Sequence, residues 1–337
     1  MLAERRETIL RIIVHEYIAG ATPVASRDIA YNYNLNVSPA TVRNDVAYLE
    51  EEGYIMRPHP SAGALPTDKA YRYYVKIISG DVELPPDEQY QIYELFQEAR
   101  VEFEQWLKLA AVLLARFVHN VAVVTPVKAP RCRFKHLDLV ALQDFVSLMV
   151  LVLYEARVRQ RIIFFDEKVT QDSLTMIANK LNSSYGGMAN SEISAREVEL
   201  SPEEKKVAEC VVSMIAAEDK LGYGRPYLEG LHLMLSQPEF VSNPRALNLL
   251  EILEGEGWVE AFLQPGLTGG GIKVIIGEEN RDEAMQDLSL IVSKYGIPDK
   301  AGGIVGVIGP KRMDYARVIS SVNCFSSMLS KSVARYI

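Results

Sequence analysis

One stretch, Ser38 to Gly53, constrains this chain more than any other. Ser38 is a strong helix N-cap, Pro39 suits the first helical position, and Gly53 supplies a stop. At about 100° per residue, Val42, Val46 and Leu49 fall in one narrow stripe that must pack inward. The opposite face carries Ala40, Asn44, Ala47 and Tyr48, flanked by Thr41 and Arg43. Glu50 to Glu52 crowd the C-terminal end, and Asp45 lies on the core-side margin. The N-terminal half is therefore small, hydrogen-bonding and basic, the character of a helix that enters the major groove by its N-terminal end. In that geometry Arg43 reaches a guanine edge, Asn44 an adenine edge, and Ser38 and Thr41 phosphates or bases. An ordinary surface helix can carry the same residues, so the neighbours must decide.

They do. Glu4 to Ala19 has helical apolar spacing at Ile9, Ile12, Ile13, Tyr17 and Ile18, with Gly20 as a stop. Ser26 is placed to cap a short helix, Arg27 to Tyr33. After the two-faced helix come a short strand (Tyr54 to Arg57), a turn (Pro58 to Ala62) and a return strand (Gly63 to Pro66). Thr67 or Asp68 then opens a helix to about Ile78. Two helices, a recognition helix, a hairpin and a helix make a winged helix-turn-helix. The candidate DNA contacts are Ser26, Arg27, Ser38, Thr41, Arg43, Asn44 and Tyr48, then Arg57, His59 and Ser61 in the wing, and Lys69 and Arg72 beyond it. Net charge does not carry this reading. Residues 1–80 hold nine basic and nine acidic side chains, and the other 27 basic and 35 acidic ones account for the whole net −8. A neutral head on an acidic body permits DNA binding without requiring it.

Ser79 to Pro86 is a polar, Pro-rich linker, and Asp87 to about His119 reads as one long helix. Strands are expected at Val121 to Thr125, Phe134 to Leu142, Phe145 to Tyr154 and Val158 to Phe165, the last three a meander joined by tight turns at Gln143-Asp144 and Glu155 to Arg157. Packed on the preceding helix, that antiparallel meander fits a GAF-like sheet. Ser201-Pro202-Glu203-Glu204 is a capping box for a helix to about Glu218. A second apolar helix is expected at Tyr227 to Leu235, and another helix at Arg245 to Glu254. Met214, Ile215, Leu228, Leu231, Met234 and Leu235 are the candidate dimer surface, with local core the competing use for each. Strands resume at Trp258 to Leu263, Ile272 to Ile276 and Gly303 to Ile308, before a last helix, Asp314 to Arg335.

The string S-P-A-T-V-R-N-D, Ser38 to Asp45, resembles recognition helices of several winged-helix families. More specific is R-P-H-P-S-A-G-A-L-P-T-D-K-A-Y-R-Y-Y-V, Arg57 to Val75, which closely resembles the HrcA family of heat-shock repressors. P-V-A-S-R (Pro23 to Arg27), I-K-V-I-I-G-E-E-N (Ile272 to Asn280) and G-V-I-G-P-K-R-M-D-Y-A-R-V-I (Gly306 to Ile319) agree with it. About Val169 to Phe240 carries no matching motif. The resemblance implies an α+β multidomain chain: a winged helix-turn-helix (1–78) and a GAF-like α/β domain in two segments (87–168 and 241–337), with a dimerisation domain (169–240) inserted between them. It implies a homodimer on an inverted-repeat operator, the CIRCE element, upstream of chaperone operons, with activity dependent on the GroEL chaperonin. Ala64 and Leu65 depart from the pattern, which would place a basic residue and then an isoleucine there, so a wing-to-backbone contact is not carried over at that point.

Other chemistries find little support. Gly269 to Gly271 and Gly303, Gly306 and Gly309 fit neither phosphate-loop pattern and are expected in turns. Cys132, Cys210 and Cys324 lack metal spacing, no pair of the five histidines matches a metal motif, and Glu278-Glu279 has no partner base. An enzyme is not expected, nor a cofactor. No apolar run approaches the roughly 20 residues of a membrane helix, and a charged start argues against a secretory signal, so the expectation is a cytoplasmic protein. Two other readings stay open: a repressor of another regulon with a small-molecule effector in the GAF-like domain, and a winged helix that binds protein instead of DNA.

Overall fold

The computed structural model describes all residues except 1, 60–61, 79–82, 99–102, 129–130, 155–157, 221–224, 242–250, 254–270, 299–300 and 337. Ser61, the expected strand Trp258 to Leu263, and most of the expected helix Arg245 to Glu254 lie outside the described residues. The chain divides into two compact units. The first comprises residues 1–126, 225–295 and 303–332, the second residues 127–224, 296–302 and 333–337.

The first unit begins with α1 (Glu4–Gly20), α2 (Ser26–Asn32), α3 (Pro39–Glu51), the hairpin β1 (Ile55–Met56) and β2 (Leu65–Pro66), and α4 (Asp68–Ile78). Ile9, Ile13, Ile29, Val42, Leu49 and Ile55 are fully buried and form the core of this head. Ser38 caps α3 as expected, its Oγ accepting from Thr41 N at 3.2 Å. Ser26 does not cap α2. The cap position falls on Ala25, and Ser26 is the first helical residue.

The unit continues with α5 (Pro86–Glu98) and α6 (Phe103–Val118), with residues 99–102 outside the description. The single long helix expected from Asp87 to His119 is not formed: the rings of Phe96 and Trp106 lie 4.7 Å apart, whereas ten residues of one helix rise about 15 Å, so α5 and α6 pack against each other. A five-stranded sheet follows in the order β7-β3-β10-β9-β8. Its strands are β3 (Val121–Val124), β7 (Tyr227–Glu229), β8 (Ile272–Ile276), β9 (Leu288–Ile297) and β10 (Ala301–Pro310). Strand β9 was not anticipated. Its burial runs unbroken from Leu288 to Ser293, so it lacks the alternation that marks a half-exposed strand. The expected helix Tyr227 to Leu235 is instead strand β7, paired with β3, and a short helix α10 (Leu231–Leu235). Gly303, Gly306 and Gly309 lie within β10 and not in turns. The closing helix, α11 (Tyr315–Tyr336), packs Phe325 against Phe96 of α5 with ring centroids 5.8 Å apart.

The second unit holds the meander β4 (Phe134–Gln143), β5 (Val146–Leu153) and β6 (Val158–Phe164). Its helices are α7 (Gln171–Tyr185), α8 (Asn190–Ala195) and α9 (Pro202–Lys220). The meander is a separate three-stranded sheet, β4-β5-β6, and does not extend the sheet that contains β3. Leu137, Met149, Leu151 and Ile163 point to one face and pack with Leu174 and Leu181 of α7 and Val207, Val211 and Ile215 of α9. Met214 and Ile215, expected at a dimer surface, belong to this core, and Met234 is fully buried in the first unit. Their apolar surface is already spent on local packing. Leu228, Leu231 and Leu235 are half-buried.

The other sheet face is unusual for a meander. Registered rows place Val140 beside Leu148 and Ile162, Val146 beside Phe164, and Val152 beside Val158. Ile162 is 52% and Phe164 65% exposed. A sheet with one wet side ordinarily alternates apolar inward with polar outward, yet here the outer face carries these apolar rows beside the mixed row Asp138, Val150 and Gln160.

Candidate nucleic-acid interface

The recognition surface is built on α3. Its buried stripe, Val42, Val46 and Leu49, fixes the helix in the head, which turns Arg43, Asn44 and Ala47 outward. Among the described residues neither Arg43 nor Asn44 has a side-chain partner, so both retain their full donor capacity. Ser38 and Thr41 sit at the N-terminal end with their hydroxyls 2.9 Å apart. Arg27 is exposed on α2, its guanidinium 5.7 Å from the ring centre of Tyr31.

Sequence reasoning missed two cations beside this surface. Arg5 Nε donates to Asp45 Oδ2 at 2.6 Å, and Arg6 Nε donates to Asp45 Oδ1 at 3.1 Å. The guanidinium of Arg6 lies 3.5 Å over the ring of Tyr48, so the candidate contact Tyr48 offers its face to a protein cation. The Arg5 hydrogen bond holds the Asp45 carboxyl below the usual carboxylate range against the opposing effect of burial. The available signal was Asp45 itself: an acid on the inward margin of an amphipathic helix needs a cation, and α1 starts with two.

The wing is set by close backbone approach. Val24 and Ala64 exchange backbone hydrogen bonds at 3.0 and 2.7 Å, joining P-V-A-S-R to the hairpin. A Cβ on Gly63 would come within 2.5 Å of Pro23 C, so only glycine allows this approach. Ala64 is buried in that bridge, at the site where the family pattern would place a basic residue. His59 is exposed near the tip. Arg57, however, pairs with Glu50 at the end of α3, and that pairing holds the Glu50 carboxyl down.

The α4 cations are likewise committed within the protein. Lys69 Nζ donates to Glu52 O at 2.6 Å and sits 4.3 Å from the ring centre of Tyr54. Arg72 pairs with Glu279 and donates to Val274 O at 2.8 Å. The expected contacts thus divide into an open set on α2 and α3, with His59, and a committed set of Arg57, Lys69 and Arg72.

Among the described residues no helix is long and apolar enough to cross a membrane. Residues 30–67 match the DeoR-like helix-turn-helix domain, and residues 104–319 match the HrcA protein C terminal domain. A heat-inducible transcription repressor HrcA from Dehalococcoides mccartyi is 43% identical over 334 residues, covering 99% of this chain and 96% of that protein. Proteins of the same description from Herpetosiphon aurantiacus and Chloroflexus aggregans are 40% and 35% identical, covering 98% and 99% of this chain and 94% and 93% of their own length. A crystal structure described as that of a hypothetical protein superposes with a TM-score of 0.63 at 24% identity over 100% of both chains, a likeness of fold alone.

Proposed function

The chain belongs to the HrcA family, and from that premise we propose that it is a dimeric, DNA-binding repressor of heat-shock operons. The observation that carries the proposal is the open N-terminal half of α3, where Arg43 and Asn44 stand outward with no partner among the described residues. Arg43 suits a bidentate contact to guanine and Asn44 one to adenine. Ser38, Thr41, Ser26 and Arg27 serve the neighbouring phosphates. Arg5 and Arg6, both paired with Asp45, brace the recognition helix from α1 and are not counted among the contacts.

The operator is an inverted repeat of the CIRCE type, read by two heads of one homodimer. We assign the winged helix to 1–78, a GAF-like body to the five-stranded sheet with α5, α6 and α11, and an inserted dimerising part to the second unit. The dimer forms on the outer face of β4-β5-β6. An apolar row such as Val140, Leu148 and Ile162 is self-complementary about a two-fold axis, and a second copy of the chain supplies the same rows in return. Repression takes place in the cytoplasm and depends on the GroEL chaperonin. Heating diverts the chaperonin to unfolded chains and releases the operator.

The test is binding to an inverted-repeat duplex and to a scrambled duplex, with and without chaperonin, over a salt series. Preference for the repeat that grows with chaperonin supports the proposal. Equal affinity for both duplexes under every condition rejects it, because backbone contacts alone give salt-dependent but sequence-blind binding.

A further inference from the structure

DNA reading leaves three of the sequence's distinctive segments without a role: T-D-K-A-Y-R at the start of α4, I-K-V-I-I-G-E-E-N through β8 and the loop after it, and G-P-K-R-M-D-Y leading into α11. They meet in the first unit. Asp68 accepts from the backbone N–H of Glu278 at 3.0 Å and pairs with Lys311 Nζ at 2.8 Å. Gly277, at φ +52°, makes this approach possible, since a Cβ there would stand 1.9 Å from Asp68 Oδ2. Arg72 binds Glu279 and the carbonyl of Val274, and Glu279 in turn accepts from the backbone N–H of Ile276 at 2.9 Å. Arg312 reaches the other end of the head, donating to Ile18 O near the end of α1 at 2.6 Å. Between these points the rings of Tyr71 and Tyr315 lie 5.7 Å apart, both buried.

Two properties make this a positioning device and not a loose surface contact. Several bonds end on backbone atoms, which the sheet and a braced loop hold still. Asn280 braces that loop, its buried Nδ2 donating to the carbonyls of Gly277, Met285 and Leu288 at 2.8 to 3.1 Å. The contacts also grip the head at both α4 and the end of α1, so a pivot about one point is blocked. Meanwhile Arg43, Asn44 and Ala47 remain exposed, so the clasp does not mask the reading surface.

We propose that Gly277, Glu279, Asp68, Arg72, Lys311 and Arg312 are positioning residues that fix the direction of α3 relative to the body and thereby set which spacing of operator half-sites the protein accepts. This rests on the reading of two heads on one inverted repeat. Two heads on flexible tethers tolerate many spacings, whereas two heads clasped to bodies joined in a dimer tolerate few.

The test uses the full-length protein and an operator selected by the wild type from randomised duplexes. Its central spacer is then lengthened or shortened stepwise by up to about five base pairs, half a helical turn. The variants are Gly277→Ala and, as a milder lesion on partly exposed charges, Glu279→Gln with Lys311→Gln. Dimerisation is followed by sedimentation, and a duplex with one half-site reports the reading surface alone. The wild type is expected to lose about tenfold or more in affinity at the half-turn offset, and the variants about threefold or less, with single half-site affinity and dimerisation retained. Variants that keep the wild-type spacing profile overturn the inference, as do variants that lose affinity equally for every duplex including the single half-site. A wild type that selects an inverted repeat but is indifferent to its spacing also overturns it, while leaving the repressor reading intact. A wild type that selects no repeat at all defeats the repressor reading and, with it, the inference.

Discussion

Two helices of one small head, α3 and α4, carry basic side chains that look equally suited to DNA, yet the structure treats them in opposite ways. Arg43 on α3 is exposed and has no partner among the described residues. Arg72 on α4 is bound to Glu279 and to the carbonyl of Val274, more than 200 positions away in the chain. The difference lies in what each helix faces. Among the described residues nothing pairs with Arg43 or Asn44 on the outer side of α3, whereas α4 meets β8 and the loop after it, where the Glu279 carboxylate and the Val274 carbonyl accept from Arg72. A cation in a DNA-binding head is therefore a contact only if the remainder of the fold leaves it unspent.

The largest expected effect comes from separating the two heads. Phe164→Asp or Ile162→Asp puts a charge on the apolar face of the three-stranded sheet, so sedimentation should find a monomer. Affinity for the inverted repeat should fall about 100-fold or more through lost avidity, with single half-site binding unchanged. A variant that stays dimeric would move the interface elsewhere.

Next comes the open set. Arg43→Ala or Asn44→Ala should cost about 1–3 kcal/mol on the operator and much less on scrambled DNA. Equal losses on both duplexes would assign the residue to phosphate binding and narrow its contrast with α4.

Asp45 joins α1 to α3, and Asp45→Ala should cost about 1–3 kcal/mol of stability near neutral pH, because it removes charge-assisted hydrogen bonds from a buried acceptor. The folded carboxyl is held below its unfolded value of about 3.9, so this contribution is present above that pH and is lost as pH falls through the lower folded value. Denaturant titrations of wild type and variant should converge only in strong acid. A deficit that does not depend on pH would mean that packing, not the ion pair, joins the two helices.

The smallest expected effect is on salt dependence in the committed set. A phosphate contact adds about 0.9 to the slope of log affinity against log salt. Arg72→Ala should leave that slope unchanged on a single half-site. A slope lowered by about one would show that Arg72 leaves Glu279 to reach DNA.

The same contrast separates what was legible in the sequence from what was not. The α3 helix could be read because its signals are local: the Ser38 cap, Pro39, the stripe at Val42, Val46 and Leu49, and Gly53. The capping box at Ser201 was equally local, and Ser201 N–H donates to Glu204 while Glu204 N–H donates to Ser201. What failed depended on partners far along the chain. The meander from Phe134 was visible as strands, but nothing local says that it forms its own sheet apart from β3. β7 is three residues whose strand character comes from pairing with β3. Met214 and Ile215 read as interface or core with equal ease, and only the facing residues of the second unit's sheet and α7 decide for core. The commitment of Arg72 was hidden for the same reason, whereas that of Arg57 to Glu50, only seven positions away, depends on how the chain turns from α3 into β1.

Whether α3 reads DNA is decided by titrating wild type, Arg43→Ala and Arg72→Ala against a single operator half-site and a scrambled duplex over a salt series. With α3 as the reading helix, Arg43→Ala loses most of the preference for the half-site, while Arg72→Ala keeps both the preference and the salt slope. Preference and slope that survive Arg43→Ala unchanged would contradict that role for α3.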